Sequence, residues 1–313
     1  MQSETIVLGK TGIHIPVLGI GAWQWGDRMI WDYGKGGYTD ADIRAVFDAA
    51  VAAGISFFDT AEVYGMGRSE TLLGQFIHES KQDVIVATKF APFPWRLHRS
   101  RLVAALKRSL KRLGLARVDL YQVHFPLPSL PVEQWATGLA DAVEAGLTRA
   151  VGVSNFSATQ MGRAFNTLAA RGVPLASNQI EYSLLHREPE RNGQLQTARD
   201  LGVTIIAYSP LAKGILTGKY TPENPPPGAR SRIYNRERLQ KVQPLIAMMR
   251  EIGEAHGGKS PAQVALNWTI CKGTFPIPGA KNVRQLESNI GAAGWRLTED
   301  EVAALDALSA PLS

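Results

Sequence analysis

Short β-rich runs alternate with helical patterns along almost the whole chain, and this alternation constrains the fold more than any other feature of the sequence. Eight runs rich in branched and aromatic residues are bounded by turn residues, as strands are. These predicted strands are Val17–Gly21, Ser56–Asp59, Val84–Lys89, Asp119–His124, Ala150–Ser154, Ala176–Ile180, Thr204–Tyr208 and Phe275–Pro278. Because a helical pattern follows each strand, we predict an α/β protein whose strands close into a parallel (β/α)8 TIM barrel rather than an open sheet.

The helical patterns between these strands carry the residues expected at helix ends. The predicted helices are Thr39–Ala53, Ser69–Ile77, Ser100–Leu113, Val132–Ala145, Ala158–Arg171, Arg191–Leu201, Met248–His256 and Asn282–Gly291. Ser69 and Ser157 are candidate N-caps, because a serine hydroxyl can accept a hydrogen bond from an amide of the first turn. Four helices end next to a glycine that can adopt the left-handed conformation of a C-cap: Gly54, Gly146, Gly172 and Gly202.

Two further segments complete the predicted architecture. Thr5–Val7 and Ile13–Ile15 flank a Lys-Thr-Gly turn, and we predict an N-terminal β-hairpin that closes the bottom of the barrel. Residues 221–238, after the seventh strand, are rich in proline and polar residues and are interpreted as a long functional loop. A length of 313 residues suits one barrel, so we predict a single domain over residues 1–313.

Composition narrows the class of protein. Hydrophobic residues make up 45% of the chain and charged residues 20%, which is ordinary for a protein with a large core. The chain has no apolar run of about 18 residues and no N-terminal targeting pattern, so we expect neither a membrane span nor a signal peptide. A single cysteine, Cys271, allows no intramolecular disulfide, and the six histidines lack metal-ligand spacing. We therefore expect a cytoplasmic protein without a metal site.

The net charge of +6 raises the question of a nucleic-acid partner. The densest basic stretch, Arg96–Arg117, contains eight basic residues and no acid. Leucines recur within it at helical spacing, namely Leu102, Leu106, Leu110 and Leu113. We interpret the stretch as an amphipathic helix with a solvated basic face, not as a nucleic-acid patch.

Four chemically distinct side chains lie at the ends of three successive predicted strands. Asp59 ends the second strand, and Tyr64 lies in the loop beyond it. Lys89 ends the third strand and His124 the fourth, so all four converge on one mouth of the barrel. Reduction of a carbonyl builds negative charge on oxygen, which then needs a proton donor. Tyr64 is a candidate donor whose pKa of about 10 would be lowered by Lys89, with Asp59 holding the lysine. His124 would orient the carbonyl.

Through these segments the chain resembles the aldo-keto reductase superfamily, from about Thr5 to the end. The resemblance is carried by Phe58–Gly65, Thr88–Lys89, Val123–His124, Gly152–Phe156 and Ile277–Lys281. It implies a catalytic tetrad with Tyr64 as the general acid and three partners, Asp59, Lys89 and His124. The opening segment Gly19–Asp27 is similar to that of plastid and cyanobacterial members.

A cofactor on an open dinucleotide-binding sheet is not indicated. Gln24 stands where a Gly-x-Gly-x-x-Gly pattern beginning at Gly19 would need its third glycine. A barrel must therefore hold a cofactor with the loops at the carboxyl ends of its strands.

Polar and aromatic side chains at these strand ends suit a nicotinamide cofactor. Ser154, Asn155 and Gln179 end the fifth and sixth strands and suit the carboxamide, a role that the resemblance also implies. Tyr208 ends the seventh strand and offers an aromatic face to the nicotinamide ring. The resemblance implies the remaining contacts to the cofactor, which are Trp23, Asp59, Ser209, Pro210, Leu211, Lys213, Gly214, Lys219, Ile277, Gly279, Lys281, Gln285 and Asn289.

Two cations flank the start of the helix after the last strand. Lys281 and Arg284 lie beside the N-terminus of Asn282–Gly291, and a helix N-terminus favours anions. This arrangement suits a 2′-phosphate, so the predicted cofactor is NADPH, with NADP+ as its oxidised form, rather than NADH. Ser288 stands where many members of the superfamily have an acid near the adenine. This difference affects the predicted contact with the adenine and leaves the predicted preference for a 2′-phosphate unchanged.

The predicted function is an NADPH-dependent oxidoreductase that reduces aldehydes or ketones to alcohols. Aromatic residues in segments near the mouth favour an aromatic or otherwise apolar carbonyl substrate, and they are Trp23, Trp31, Trp95 and Phe125. Sugar, steroid, pyridoxal and lipid aldehydes all stay open. We expect a monomer rather than a dimer, with a small-molecule substrate and neither nucleic acid nor membrane as partner.

Two other functions compete with this prediction. A cofactor-binding redox sensor or channel-subunit-like protein would keep the same tetrad but turn over slowly, so steady turnover of an aldehyde distinguishes it. A barrel hydrolase with paired carboxylates is disfavoured. Asp59 and Glu62 are the only acids near the end of the second strand, and no comparable acid ends the fourth or the seventh.

Overall fold

Ten short strands form a hairpin and a barrel in the computed structural model, which describes residues 4–28, 31, 33–34, 37–127, 129–227 and 230–312. β1 (Thr5–Val7) and β2 (His14–Pro16) pair antiparallel. The other strands run parallel, side by side in chain order: β3 (Ile20–Gly21), β4 (Phe57–Asp59), β5 (Ile85–Phe90), β6 (Val118–Val123), β7 (Thr148–Ser154), β8 (Leu175–Glu181), β9 (Thr204–Tyr208) and β10 (Phe275–Pro276). The ring closes where Gly21 bridges Gly279 and donates from its amide to the carbonyl of Pro278 at 3.2 Å. The predicted (β/α)8 TIM barrel is confirmed.

Helices connect the barrel strands. Within the described ranges they are α1 (Asp40–Ala52), α2 (Arg68–Ser80), α3 (Ser100–Leu113), α4 (Val132–Glu144), α5 (Ala158–Ala169), α6 (Glu188–Arg191), α7 (Gln194–Leu201), α8 (Arg230–Ile233), α9 (Arg236–Ala255), α10 (Pro261–Cys271), α11 (Val283–Ile290) and α12 (Glu299–Ser309). Short 3-10 turns lie at Tyr64–Gly67, Ala212–Thr217 and Ala310–Leu312. Each predicted helix except Met248–His256 matches one of these helices within three residues at either end.

The helix predicted at Met248–His256 is wrong in length, because α9 begins at Arg236. The loop predicted at 221–238 is correspondingly shorter, since it contains α8 and the first turn of α9. Asn235 starts α9 by accepting a hydrogen bond from the amide of Arg238 at 2.9 Å. Pro244 lies inside this helix and obscures its pattern, because proline usually interrupts helices. Burial of one apolar face holds the helix together: Leu239, Val242, Leu245, Ile246 and Met249.

The sequence pattern does not predict α10 or α12. Every residue of α10 from Ala262 to Thr269 is buried except Gln263, so the helix has no polar face and no amphipathic period. Each of the two helices nevertheless begins with a signal that could have found it. At α10, Ser260 and Gln263 form a capping box, and Pro261 is the first helical residue. At α12, Thr298 and Glu301 form a capping box, in which the threonine hydroxyl accepts from the amide of Glu301 at 3.2 Å.

The two candidate N-caps have different outcomes. Ser157 is confirmed, because its hydroxyl accepts from the amide of Gln160 at 3.2 Å. Ser69 is wrong as an N-cap, because α2 begins one residue earlier and the Ser69 side chain is buried. Its hydroxyl accepts from Thr60 at 2.8 Å and donates to the carbonyl of Ala22 at 2.9 Å, which ties the ends of two strands together. The four predicted C-cap glycines all have positive φ.

The N-terminal hairpin lies against the amino ends of the strands, as predicted, although its second strand is one residue later than expected. At the turn, the amide of Gly9 donates to the hydroxyl of Thr204, the first residue of β9, at 2.8 Å. Apolar side chains of the hairpin join those of the barrel interior in one cluster: Leu8, Ile13, Ile15, Phe57, Ala87, Leu120, Ala150, Ala176, Ile206, Phe275 and Ile277. Removal of this surface from water stabilises the closed end of the barrel.

The basic stretch forms α3 and its flanks, as predicted. Its leucines face the core, and three of its arginines contact carboxylates of neighbouring elements. Arg112 binds Glu70, Arg99 contacts Asp141, and Arg96 binds Glu62. Within the described ranges, no helix combines the length and the apolar character that crossing a bilayer requires.

The hairpin contact generates a prediction about stability. Gly9 has a φ of +53°, and a Cβ there would lie 2.6 Å from the carbonyl oxygen of Ala176. Gly9→Ala is expected to lower the free energy of unfolding by about 2–4 kcal/mol, from backbone strain and a clash with main chain. Gly12→Ala is the matched control, since Gly12 has a φ of +71° with nothing within 4 Å of its Cβ position. Urea unfolding of both variants tests this, and equal losses would show that Gly9 does not pack tightly on the barrel.

Candidate active site

The four side chains of the predicted tetrad come together at the carboxyl ends of the strands. Asp59 ends β4, Lys89 lies in β5, His124 follows β6, and Tyr64 begins the 3-10 turn after β4. The Lys89 ammonium donates to Asp59, to the carbonyl of Thr60 at 2.9 Å and to the Tyr64 hydroxyl at 3.2 Å. The rings of Tyr64 and His124 meet edge to face, with centroids 5.7 Å apart.

The Lys89–Asp59 ion pair is buried, with side-chain exposures of 0% and 2%. A buried ion pair needs further hydrogen bonds to offset the loss of hydration. Asp59 receives them from two amides on other strands, Gln179 Nε2 at 2.8 Å and Gln122 Nε2 at 3.4 Å. Sequence reasoning missed Gln122, although its place two residues before His124 puts its side chain on the same face of β6.

Burial changes the proton affinities of this pair and of the phenol beside it. Loss of hydration lowers the pKa of Lys89, and Asp59 opposes that effect. Burial raises the pKa of Tyr64 well above its usual value, and Asp59 adds to the rise. The sequence-based expectation that Lys89 lowers the pKa of Tyr64 is therefore wrong for the free protein. Asp59 offsets the lysine charge, so desolvation of the phenolate decides the direction.

His124 is neutral over the physiological range. Burial, together with the Lys89 ammonium, lowers its pKa to about 3. Its Nδ1 atom is buried and has no hydrogen-bond partner among the described residues. A neutral imidazole carries one N–H donor, so it can donate to a carbonyl oxygen without adding a charge to the site.

One cavity of about 1000 Å³ opens above the tetrad. Its volume lies at the upper end of the range of small-molecule and cofactor sites. Every residue that sequence reasoning assigned to the cofactor lines it: Trp23, Asp59, Ser154, Asn155, Gln179, Tyr208, Ser209, Pro210, Leu211, Lys213, Gly214, Lys219, Ile277, Gly279, Lys281, Gln285 and Asn289. Their contacts with a cofactor stay predictions.

The cavity wall also contains residues that sequence reasoning placed elsewhere or missed. Trp31 and Phe125 line it as expected, and so do Arg284 and Ser288. Trp95 is not among the lining residues, because its side chain stacks on Phe93 and is 72% exposed. The lining residues not singled out before are Gly21, Gln24, Asp27, Val63, Thr217, Ala262, Pro278 and Asn282.

The central part of the cavity offers both donors and acceptors beside an aromatic ring. Asn155 Nδ2 donates to the carbonyl of His124 at 3.1 Å, and Asn155 Oδ1 accepts from the Tyr208 hydroxyl at 2.9 Å. The Ser154 hydroxyl donates to the carbonyl of Gln179 at 2.8 Å. Asn155 has a φ of +62°, a conformation that non-glycine residues adopt rarely and that often marks functional sites. The Ser154 and Asn155 donors already have protein partners, so this region offers a carboxamide an aromatic face and the remaining acceptor capacity of these oxygens.

The far end of the cavity is basic and is bounded by two main-chain segments. After β9, Ser209, Ala212 and Lys213 all have positive φ, so the chain turns sharply just before and within the 3-10 segment. After β10, Asn282 caps α11 by accepting from the amide of Gln285 at 3.0 Å. Four cations line this end: Lys213, Lys219, Lys281 and Arg284. The chemistry of these donors fits phosphate groups.

Gln24 and Gly279 give an independent sign of a polar ligand in this cavity. Gln24 Oε1 is buried and has no hydrogen-bond partner among the described residues. It faces Gly279 so closely that a Cβ there would lie 2.6 Å from this oxygen. A buried polar atom without a partner is costly, and a hydrogen bond from a ligand would remove that cost.

Gly253–Ser260 matches the P-loop pattern Gly-x-x-x-x-Gly-Lys-Ser, but its structure is different. A P-loop joins a strand to a helix. Here the segment joins α9 to α10, and Gly253 lies within α9 against the carbonyl of Lys259. The match is therefore accidental.

The geometry agrees with comparisons to known proteins. A model described as the aldo/keto reductase family matches residues 17–310. The chloroplastic pyridoxal reductase of Arabidopsis thaliana is 42% identical over 302 residues, which cover 92% of this chain and 82% of the relative. The protein named aldo-keto reductase yakc [NADP(+)] of Schizosaccharomyces pombe is 33% identical over 277 residues, which cover 83% and 80%. The solved structure of the glycerol dehydrogenase of Gluconobacter oxydans has a TM-score of 0.87 at 28% identity, covering 99% of this chain and 96% of its own.

The chain therefore belongs to the aldo/keto reductase family, as its sequence motifs indicated. It is an oxidoreductase of the class that reduces carbonyl groups, and members of this family generally use nicotinamide cofactors.

The neutral state of His124 can be tested directly. Because its pKa lies at about 3, the NMR signals of its ring are expected not to titrate between roughly pH 5 and pH 8. Comparison with His124→Gln assigns the signals. A titration midpoint near an ordinary histidine value of about 6.5 would show that the ring is solvated or receives a negative partner.

Proposed function

We propose that the protein reduces aldehydes or ketones to alcohols with NADPH, and that Tyr64 donates the proton. The observation that carries this proposal is the contact of the Tyr64 hydroxyl with the buried Lys89 ammonium, 3.2 Å away, in the wall of the cavity. NADPH supplies the hydride that adds to the carbonyl carbon. The residues of the chain supply the proton and the orientation of the carbonyl.

Proton transfer follows from the proton affinities of the tetrad. The raised pKa of Tyr64 keeps the phenol protonated at neutral pH, so the donor form is present before reaction. As the carbonyl oxygen becomes an alkoxide, its affinity for the proton exceeds that of the phenol. The Tyr64 oxygen then becomes negative next to Lys89, whose charge stabilises it without rearrangement. Asp59 holds the ammonium in place throughout.

His124 supports the same step without charge. Its ring meets Tyr64 edge to face and lines the cavity. A neutral N–H donor at this place polarises the carbonyl and fixes the oxygen near the phenol. A protonated imidazole would instead compete with Tyr64 as the acid, and the low pKa of His124 prevents this.

The preference for NADPH over NADH rests on the basic end of the cavity. Lys281 and Arg284 flank the N-terminus of α11, where free amides and the helix dipole also favour an anion. A 2′-phosphate is the group that distinguishes the two cofactors. The name of the Schizosaccharomyces pombe relative includes NADP(+), which supports the same preference.

The substrate end of the cavity is aromatic. Trp23 contacts Tyr64, Phe125 contacts His124, and Trp31 packs on Trp23. All three line the cavity and favour a flat or apolar carbonyl compound. A relative is named pyridoxal reductase, so pyridoxal belongs in the first substrate panel beside 4-nitrobenzaldehyde.

Tyr64→Phe tests the proton donor. The variant keeps the ring and loses the hydroxyl, so oxidation of NADPH by 4-nitrobenzaldehyde is expected to slow by about a hundredfold or more. Binding of NADPH, measured by quenching of tryptophan emission, should change less than about threefold. Tyr234→Phe is the control, because Tyr234 is a buried tyrosine that does not line the cavity.

The outcomes of this experiment separate the alternatives. NADPH binding without turnover of any carbonyl in the panel would favour a redox sensor over a reductase. A Tyr64→Phe variant as active as the natural protein would show that Tyr64 is not the proton donor. No binding of NADPH would overturn the cofactor assignment and the function with it.

Lys281→Ala tests the cofactor preference. Loss of a cation at the 2′-phosphate is expected to raise the dissociation constant of NADPH by about tenfold or more and that of NADH by less than about twofold. Calorimetric titration of both cofactors measures this. Lys241→Ala removes an exposed lysine on α9 that pairs with Glu237, and it should change neither constant. Equal losses for both cofactors in Lys281→Ala would contradict the phosphate contact.

A further inference from the structure

Lys281 is held between two aromatic rings from the segment that joins β3 to α1. Its Nζ atom lies 4.9 Å from the centroid of Trp31 and 4.7 Å from that of Tyr38. It also donates to the main-chain carbonyl of Trp31 at 3.4 Å. Cation–π contacts of this kind stabilise a cation in one place even before any anion binds. The position of the proposed phosphate-binding cation therefore depends on a segment about 250 residues away in the sequence.

Trp31 has a second contact, toward the substrate end of the cavity. Its ring meets Trp23 edge to face, with centroids 5.5 Å apart and an interplanar angle of 90°. Trp23 in turn lies 6.2 Å from the ring of Tyr64. Both tryptophans line the cavity. A continuous row of contacts thus runs from Lys281 through Trp31 and Trp23 to the proposed proton donor.

We propose that Trp31 is a positioning residue that couples recognition of the 2′-phosphate to the shape of the substrate wall. This inference rests on the proposed function, in which Lys281 contacts the phosphate. A phosphate bound to Lys281 fixes the ammonium, the ammonium fixes the Trp31 ring, and the ring supports Trp23 beside the reacting carbonyl. With NADPH bound, the Trp23 ring is therefore held beside the reacting carbonyl more firmly than with NADH bound.

Linkage makes this coupling measurable from both sides. If the 2′-phosphate improves binding of the aldehyde, the aldehyde must improve binding of the phosphorylated cofactor by the same factor. The contacts involved are a few cation–π and edge-to-face pairs, so the factor is expected to be about three- to tenfold. In the natural protein, the KM of the aldehyde should be lower by this factor with saturating NADPH than with saturating NADH.

Trp31→Ala should remove the coupling. The variant is expected to raise the dissociation constant of NADPH about three- to tenfold, to leave that of NADH within about twofold, and to make the aldehyde KM equal with both cofactors. Trp31→Phe keeps an aromatic ring and should restore part of the difference. If Trp31→Ala raises the KM but keeps the ratio between the cofactors, Trp31 is only part of the wall, and the proposal is wrong.

Four other variants separate the two ends of the row. Tyr38→Leu removes a ring from Lys281 and also the hydrogen bond from the Tyr38 hydroxyl to the carbonyl of Gln24, so Tyr38→Phe, which loses only that hydrogen bond, is its control. The leucine variant should weaken NADPH more than the phenylalanine variant, and the aldehyde KM with NADH should be equal in the two. Phe125→Ala changes the wall alone and should raise the aldehyde KM equally with both cofactors. Trp95→Ala removes a tryptophan outside the cavity and should change nothing. A Phe125→Ala effect that depends on the cofactor would contradict the assignment of the coupling to Trp31.

A ligand without nicotinamide tests the same contact without turnover. Adenosine 2′,5′-bisphosphate carries the phosphate, whereas adenosine 5′-monophosphate lacks it. The bisphosphate is expected to change the tryptophan emission of the natural protein, and the change should be absent in Trp31→Phe although calorimetry still detects binding. The same change in both proteins would overturn the proposal.

The result of Lys281→Ala distinguishes failure of this inference from failure of the proposed function. If Lys281→Ala weakens the binding of NADPH and NADH equally, the cofactor assignment fails. If it does and Trp31→Ala leaves the aldehyde KM ratio unchanged, only the coupling through Trp31 fails.

Discussion

The buried ion pair between Lys89 and Asp59 is the interaction on which the rest of the site depends. Both side chains are almost completely buried, so each charge would be very unfavourable alone. The pair persists because Gln122 and Gln179 donate to the carboxylate and the Thr60 carbonyl accepts from the ammonium. These partners come from β4, β5, β6 and β8, which meet only when the barrel is closed. The ion pair therefore has its full set of hydrogen bonds only in the closed barrel.

The amino end of the barrel stabilises the fold, and the carboxyl end carries the candidate active site. The hairpin and the apolar interior close the amino end, where Gly9 packs on the main chain of β8. The carboxyl end carries the cavity and also the left-handed residues Asn155, Ser209 and Lys213. Such conformations cost energy in the folded protein, and packing by the rest of the fold keeps these residues in place. The stable end thus supports a strained and open end.

Charge is distributed unevenly along the cavity, and this asymmetry orients what binds. Cations concentrate beyond β9 and at α11, whereas the wall around Tyr64 is aromatic and His124 is neutral. A ligand with phosphates at one end and an uncharged ring at the other has one favourable direction in such a cavity. The segment between β3 and α1 contacts both ends, because Trp31 reaches Lys281 as well as Trp23.

Sequence patterns alone were sufficient for the strand order, most helices and the convergence of Asp59, Tyr64, Lys89 and His124 at one end of the barrel, because alternation, glycine caps and strand-end motifs are local signals. They failed where burial removes the amphipathic period, as in α10, or where Pro244 obscures it. Only the tertiary structure decided the features that depend on contacts between residues far apart in the sequence. It placed Gln122 on Asp59, set Lys281 against Trp31, and reversed the expected pKa shift of Tyr64. Desolvation and contact are properties of the packed chain, and no local stretch of sequence specifies them.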